Sequence, residues 1–162
     1  MGTHSKKFRY DVGALCNGIL AGLVSITGVC DRVDPWAAFL IGLIGGIVYV
    51  LSCKLMDILN IDDPIEASPV HGFCGIWGLI AVGIFDTQYG LISSNEQRGQ
   101  FFGIQVLGCL IIVAWVAVLS LAFFLPTKAL RMLRVPLIEE VIGLDIAEMG
   151  TQAKVHAQEK II

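Results

Sequence analysis

The chain has 162 residues, of which 56% are hydrophobic and only 15% are charged, and its formal net charge is -3. A soluble domain is usually about 45–50% apolar, so this composition, with a mean hydropathy of +0.77, indicates an integral membrane protein. The negative net charge argues against a nucleic-acid partner.

Four apolar runs predict four transmembrane helices, and hence an all-α integral membrane fold. The runs occupy residues 12–29, 35–53, 67–85 and 101–125. Each comes near or exceeds the roughly 20 apolar residues with which a helix crosses the hydrocarbon core of a bilayer. Four buried core helices in a soluble protein of this length would leave too little polar surface to cover them. A signal peptide is not expected at the first run, because the run is long and no clear cleavage site follows it.

The distribution of Lys and Arg predicts how the chain lies in the membrane. Four spans bring both chain ends to one side, and cytoplasmic loops are enriched in Lys and Arg. The side of the chain ends carries Lys6, Lys7, Arg9, Lys54, Lys128, Arg131 and Arg134. The opposite side carries Arg32 and Arg98. We therefore expect a multi-pass membrane protein with a membrane region at 12–125 between cytoplasmic segments at 1–11 and 126–162. The membrane is expected to be the plasma membrane.

His71 lies a few residues into the third apolar run. A titratable side chain at that depth is costly, so it tends to face a cavity or the bundle interior and to have a function. A neutral imidazole donates one hydrogen bond and accepts another, so it can hold a small polar solute or pass a proton. The alternative is a structural histidine that is bonded to a helix carbonyl.

An enzyme is not expected from this sequence. A zinc site needs three or four ligands, whereas the other histidines, His4 and His156, lie near the chain ends. Ser68 precedes His71 by three residues and could form a nucleophile–base pair with it, but no third group is placed to orient the pair. We predict no catalytic residue, no metal and no cofactor.

Three carboxylates, Asp62, Asp63 and Glu66, precede the third run. Asp62 or Asp63 can cap a helix that Pro64 opens at its first turn. The same cluster at the mouth of a pore would attract cations. Capping alone and capping with cation attraction both fit the pattern.

Asn17 and several glycines are predicted to pack the helices together. The amide of Asn17 is expected to bond to another helix. Gly72, Gly75 and Gly78 recur at three-residue steps, which favours either close packing or a bare face beside a pathway. Two small-x-x-x-small pairs are predicted to let helices approach closely in lipid: Gly18 with Gly22, and Gly42 with Gly46.

Several motifs occur in an order and spacing that are typical of one family. They are Cys16-Asn17-Gly18 with Leu20-Ala21-Gly22-Leu23 and Ile26-Thr27, Asp34-Pro35-Trp36-Ala37-Ala38, Asp62-Asp63-Pro64 with Val70-His71-Gly72-x-Cys74-Gly75-x-Trp77-Gly78, residues 101–125, Leu133-Arg134-Val135 and Gly143-Leu144-Asp145. In this order they resemble the eighth to eleventh helices and the cytoplasmic tail of the ammonium transporter (Amt/Mep) family. The resemblance covers residues 10 to about 150.

The resemblance implies a complete fold of eleven helices, built from two inverted repeats plus a last helix. It implies a homotrimer in which each subunit has its own pore. Ammonium would be attracted outside, lose a proton and cross an apolar pore lined by two facing histidines, of which His71 is the second. Asp62 and Asp63 match acids near the inner end of that pore.

The resemblance also makes the tail, with Arg134, Gly143 and Asp145, a regulatory segment that contacts the neighbouring subunit. We therefore expect ammonium transport, with ammonium or ammonia as substrate and the lipid bilayer as surroundings, by a fragment or split piece in which His71 lines the pore. The first histidine of the pair belongs to a helix outside this sequence, so we expect no conduction by this chain alone. The alternatives are a non-conducting membrane subunit that modulates intact transporters, and an unrelated four-helix scaffold.

Overall fold

A computed structural model describes residues 12–135. Their regular structure is helical throughout, without a strand: α1 is Val12–Ile26, α2 is Pro35–Leu59, α3 is Cys74–Phe85, α4 is Arg98–Ala129, and a π-helical segment, Ser68–Phe73, runs into α3. The predicted all-α class is thereby confirmed. The expectations for residues 1–11 and for the tail beyond Val135, including Gly143 and Asp145, lie outside the described residues.

Three helical stretches in the described part are long and apolar enough to cross a membrane. They are Pro35–Leu59, Ser68–Phe85 and Arg98–Ala129. α1 is apolar but has 15 residues, about 22 Å at 1.5 Å per residue, which is less than the hydrocarbon thickness of roughly 30 Å. Val12 is also the first described residue. Large apolar side chains such as Phe39 and Phe123 are exposed on the helices, which agrees with an integral membrane protein.

The helices end where the backbone turns, not where the apolar runs end. α2 continues beyond residue 53 because a polar residue such as Lys54 ends the apolar run but is itself a good helix former. It stops before Asn60, whose left-handed backbone (φ 53°) ends the helix, a conformation that Asn tolerates. α4 likewise extends beyond 101–125 at both ends. α1 ends at Ile26 instead of residue 29, and turns follow it.

The third predicted helix winds more widely at its start than an α-helix does. At the end of the π segment the Cys74 N–H donates to the carbonyls of Pro69 and His71. The bond to the carbonyl five residues back is the π-helical pattern, which occurs often at functional sites. His71 therefore lies in a short segment of unusual helical winding, directly before α3.

Residues 12–113 form one compact unit, in which α1 packs against α2 and α3. Its core consists of two small clusters of buried residues: Ala21, Tyr49, Val70 and Cys74 in one, and Val29, Ile41 and Ala81 in the other. The indole N–H of Trp77 donates to the Ile41 carbonyl at 3.0 Å. This bond ties α3 to α2 beside the second cluster.

The connections of this unit lie alternately at its two ends. At one end the Thr87 N–H donates to the Arg32 carbonyl at 2.9 Å, and the Arg32 guanidinium lies 3.8 Å from the Asp86 carboxylate. At the other end Asn17, near the start of α1, donates to Glu66, which follows α2, at 2.8 Å. The first three helical elements therefore alternate in direction, as successive membrane spans do.

The second unit begins at Ala114 within α4. Pro126 lies inside the helix and lacks the N–H that an α-helix would use. The hydroxyl of Thr127 donates to the carbonyls of Phe123 and Phe124 at 3.1 and 3.0 Å. These bonds strengthen the turn that the proline weakens, and α4 continues to Ala129.

Candidate functional site

His71 is exposed on the surface of residues 12–113. Within the described residues its imidazole has no hydrogen-bond partner. This arrangement differs from that of a structural histidine bonded to a helix carbonyl, and it leaves both ring nitrogens free to meet a solute or another segment.

Two of the three predicted glycines leave open space near His71. A Cβ atom added to Gly72 or Gly75 would meet nothing within 4 Å, and Gly75 is one turn from His71 on the same face. A Cβ at Gly78 would instead lie 3.0 Å from the Ser25 carbonyl oxygen. Gly78 follows Gly72 by six residues, which corresponds to a rotation of about 240° around the helix axis. Gly78 therefore faces α1, while Gly72 and Gly75 face outward.

The carboxylate of Asp63 caps the N-terminus of the helical stretch that carries His71. It accepts the N–H of Ser68 at 2.8 Å and that of Ala67 at 3.0 Å. These bonds, the one from Ser68 foremost, hold the pKa of Asp63 below its usual value, because they favour the charged form. Pro64 lies in the turn before the helix and does not open its first turn as predicted. Asp62 is exposed.

Glu66 connects three segments at this end of the unit. Its Oε2 accepts the Asn17 amide at 2.8 Å and also the hydroxyl of Tyr49, while its carbonyl accepts the Val70 N–H at 3.0 Å. Asn17 therefore bonds to the connection before the π segment, with the Ile65 carbonyl as a second acceptor at 3.4 Å, and not to a neighbouring helix. The backbone of Glu66 has φ 57°, a left-handed conformation that non-glycine residues rarely adopt.

Tyr49 is the member of this arrangement that was not predicted from the sequence. It is buried in α2, and a buried tyrosine usually finds a hydrogen-bond partner for its hydroxyl. A tyrosine in an apolar run followed by a carboxylate is thus the signal that could have pointed to the pair.

An acidic pocket of about 370 Å³ lies beside Glu66. Its lining includes four carboxylates: Asp57, Asp62, Asp63 and Glu66. His71 is not among the described residues that line it. Carboxylates gathered around a concave surface attract cations, so the predicted acids share one pocket whereas the predicted histidine lies on a separate face.

The chain has clear similarity to known transporters. It matches the Ammonium Transporter Family over residues 1–154. Ammonium transporter Amt2 of Archaeoglobus fulgidus is 40% identical over 152 residues, which cover 88% of this chain and 32% of that protein. Ammonium transporter 3 of Dictyostelium discoideum is 37% identical over 155 residues, covering 89% of this chain and 36% of that protein. A protein of Synechocystis sp. described as a candidate ammonium transporter is 45% identical over 138 residues, covering 85% of this chain and 29% of that protein.

The chain therefore spans about a third of the length of the curated relatives that it matches. Those relatives are named as transporters, which agrees with the prediction that the chain is not an enzyme. The family match includes all the described residues, 12–135. This chain belongs to the ammonium transporter family.

Proposed function

We propose that this chain contributes to ammonium transport across a membrane, as one part of an Amt-type transporter in which His71 lies on the substrate pathway. The family supports the transport of ammonium or ammonia. The observation that carries the assignment of His71 is its open face: an exposed imidazole beside Gly72 and Gly75, whose own sides are free. A solute or a second segment that approaches this face would meet the imidazole without an intervening side chain.

The chemistry of an imidazole suits that position. Ammonium has a high desolvation cost in an apolar pathway, and an imidazole can reduce this cost by accepting a hydrogen bond or a proton. Ammonia, which can donate and accept hydrogen bonds, matches the donor and acceptor of a neutral ring. His71 is thus the described residue that we place in direct contact with the substrate.

The acids and packing residues have supporting parts in this proposal. Asp62, exposed at the acidic pocket, attracts cations at the inner mouth of the pathway. Asp63 and Glu66 hold the start of the π segment through the hydrogen bonds described above. Asn17 and Gly78 keep α1 against the same stretch, so that the position of His71 is fixed from both ends.

The surroundings of the chain are part of the same proposal. The exposed large apolar side chains of α4, such as Trp115 and Phe123, support contact with lipid and with other transmembrane helices, including those of a homotrimer in the complete transporter. We place the chain in the plasma membrane with both termini in the cytoplasm, and we assign Arg134 to a regulatory tail.

A split-transporter assay tests the role of His71. The chain is expressed in a strain without ammonium transporters, either alone or together with the part of the Archaeoglobus relative that lies outside the matched region. We expect uptake of radiolabelled methylammonium from the pair and not from the chain alone. His71→Ala should lower uptake by the pair roughly tenfold or more, which corresponds to ~1.4 kcal/mol in the barrier.

The control is His4→Ala, which removes a histidine outside the apolar runs and should leave uptake unchanged. Robust flux into liposomes that contain only this chain, or uptake by the pair that is insensitive to His71→Ala, would contradict the proposal.

The exposed surface of α4 also supports a second function, that of a non-conducting subunit that modulates intact transporters. That function predicts co-purification with a full-length relative and altered flux that does not depend on His71.

A further inference from the structure

The winding of the π segment decides which face of the helix carries His71. Residues seven apart lie on the same face of an α-helix, so continuous α winding would place His71 on the face of Gly78. Gly78 is buried, and a Cβ there would lie 3.0 Å from the Ser25 carbonyl oxygen, whereas His71 is exposed. The wider turn of Ser68–Phe73 therefore separates His71 from the face that packs against α1.

The packed face has room for an imidazole ring. α1 and α3 run in the same direction, so Gly18 precedes Ser25 by roughly two turns just as His71 precedes Gly78. A Cβ added to Gly18 would meet nothing within 4 Å. Packing against α1 therefore does not by itself keep His71 on the exposed face, and the wider winding depends on how its two ends are held.

One face of α2 holds both ends of the π segment. At the start, the Tyr49 hydroxyl donates to the Glu66 carboxylate, and the Glu66 carbonyl accepts the Val70 N–H at 3.0 Å. At the end, the Cys74 thiol donates to the Gly45 carbonyl at 3.5 Å. Gly45 and Tyr49 are both buried and lie one turn apart on the same face of α2. Together these bonds fix the length of helix into which the intervening residues must fit.

Tyr49 contacts the π segment with its ring and with its hydroxyl. The ring packs with Val70 and Cys74 in the first buried cluster, and the hydroxyl reaches the connection before the segment. We propose that Tyr49 is a positioning residue: through Glu66 its hydroxyl maintains the π winding and thereby holds His71 on the exposed face. That this face meets the substrate rests on the proposed function, whereas the orientation of His71 can be measured without transport.

The test is chemical modification of His71 by diethyl pyrocarbonate in the full chain, in uncharged detergent, followed by peptide mass spectrometry. His4 and His156 react in the same sample and serve as internal references. Tyr49→Phe removes only the hydroxyl, and the loss of a hydrogen bond to a charged group shifts an equilibrium roughly tenfold. We therefore expect the modification of His71 to slow severalfold in Tyr49→Phe, while circular dichroism still shows cooperative unfolding.

The matched control is Ser52→Ala, which removes another buried hydroxyl of α2. The Ser52 hydroxyl donates to carbonyls of its own helix, those of Val48 and Tyr49, so its loss should leave the modification rate of His71 unchanged. Gly18→Leu fills the space beside α1, and adding it to Tyr49→Phe should restore the rate at least in part. A merely structural role for the Tyr49 hydroxyl would not predict this rescue.

Equal modification rates in Tyr49→Phe and in the unaltered chain would overturn the proposal. So would a reduction in Ser52→Ala as large as that in Tyr49→Phe, or a Tyr49→Phe chain that no longer folds, which would show a role in stability alone. In the split-transporter assay, Tyr49→Phe should lower methylammonium uptake by the pair and Ser52→Ala should not. Uptake that is insensitive to His71→Ala would contradict the proposed function instead, and the modification rates would still decide the role of Tyr49.

Discussion

Glu66 accepts hydrogen bonds from Asn17 and Tyr49 while its own backbone occupies the left-handed region. A left-handed conformation costs a non-glycine residue about 1–2 kcal/mol. Glycine or asparagine would avoid most of that cost, but neither supplies a carboxylate for the two hydrogen bonds. At this position one side chain fixes the connection of α2 to the π segment and joins it to α1.

We predict that Glu66→Ala lowers the free energy of unfolding by about 2–3 kcal/mol. Hydrogen bonds to a charged group contribute ~1.5–3 kcal/mol each. The total is less than the sum for two such bonds because the Glu66 carboxylate is only partly buried. Alanine keeps the backbone cost and loses both bonds. Thermal unfolding of the full chain in detergent, followed by circular dichroism, measures the change. Glu66→Gln keeps an acceptor and should lose less. Glu96→Ala removes an exposed carboxylate and is the control; equal stability of the two alanine variants would contradict the prediction.

At the scale of the helices, the tightest approach between the glycines of α1 and α2 occurs at Gly45. A Cβ there would clash with the Ser25 hydroxyl and lie 2.8 Å from the Ser25 Cβ and 3.3 Å from the Ala21 carbonyl. A Cβ at Gly42, one turn earlier on the same helix, would meet nothing within 4 Å. These two glycines therefore separate a packing effect from helix propensity.

Gly45→Ala should destabilise the chain by about 1–3 kcal/mol through overpacking. Gly42→Ala should stabilise it by up to ~1 kcal/mol, since alanine is the better helix former. Unfolding in detergent gives both values. Replacing Ser25 with glycine in the Gly45→Ala chain removes most of the clash and should restore part of the loss. If Gly45→Ala and Gly42→Ala changed the free energy of unfolding by the same amount in the same direction, Gly45 would not lie at a helix contact.

The positions of the helices could be predicted from the apolar runs, but their contacts could not. Polar residues end an apolar run without ending a helix, so α2 passes residue 53 and stops only at Asn60. The π winding before Cys74 depends on how the connection from Glu66 is held, which no local pattern in the sequence encodes. Of the predicted glycines, Gly22 faces the backbone of Gly42, whose carbonyl oxygen lies 3.6 Å from a Cβ added to Gly22, whereas the tightest contact is made by Gly45, which was not predicted. Spacing alone does not specify which face a neighbouring helix covers.

The same limit applies to the candidate site. The cost of an imidazole in an apolar run identified His71, which was expected to face a cavity or the bundle interior. Within the described residues it is exposed, so its place on a substrate pathway stays a prediction. The partner of Asn17 was predicted to be a helix but is Glu66 in a connection. Side chains can reach connections as readily as helices, and the sequence gives no distance between them.

At the scale of the whole molecule, the core is small relative to the apolar surface. The largest fully buried apolar side chains are Ile41 and Val29, whereas large apolar residues remain exposed on every helix. Lipid is as apolar as a leucine side chain, so such surface is not a cost in a membrane. The fold of this part of the chain is therefore specified by glycine contacts and a few hydrogen bonds more than by burial.

The orientation of the chain follows from how its cations are distributed. At the end that holds the turn after α1, the guanidinium of Arg32 lies 3.5 Å from Asp31 and 3.8 Å from Asp86, and Arg98 is predicted to lie on the same side. Asn60 follows α2 at the opposite end, where the predicted cytoplasmic Lys54 also lies. Acids contribute little to topology, so the acidic pocket at that end does not reverse the expectation that it faces the cytoplasm.

We predict that a charged, membrane-impermeant maleimide added to intact cells labels Cys30, which is exposed in the turn after α1. Cys16, also exposed, lies within α1, where a charged reagent does not enter the hydrocarbon. Cys30→Ala should therefore abolish labelling. Asn60→Cys in that background should react only after the cells are permeabilised. If the turn after α1 and the end of α2 faced the same compartment, Cys30 and Asn60→Cys would react from the same side. If Asn60→Cys reacted in intact cells and Cys30 only after permeabilisation, the acidic pocket and the start of the His71 segment would lie outside. Because the connections alternate between the two ends of the unit, these two cysteines together determine which side of the membrane the start of the His71 segment faces.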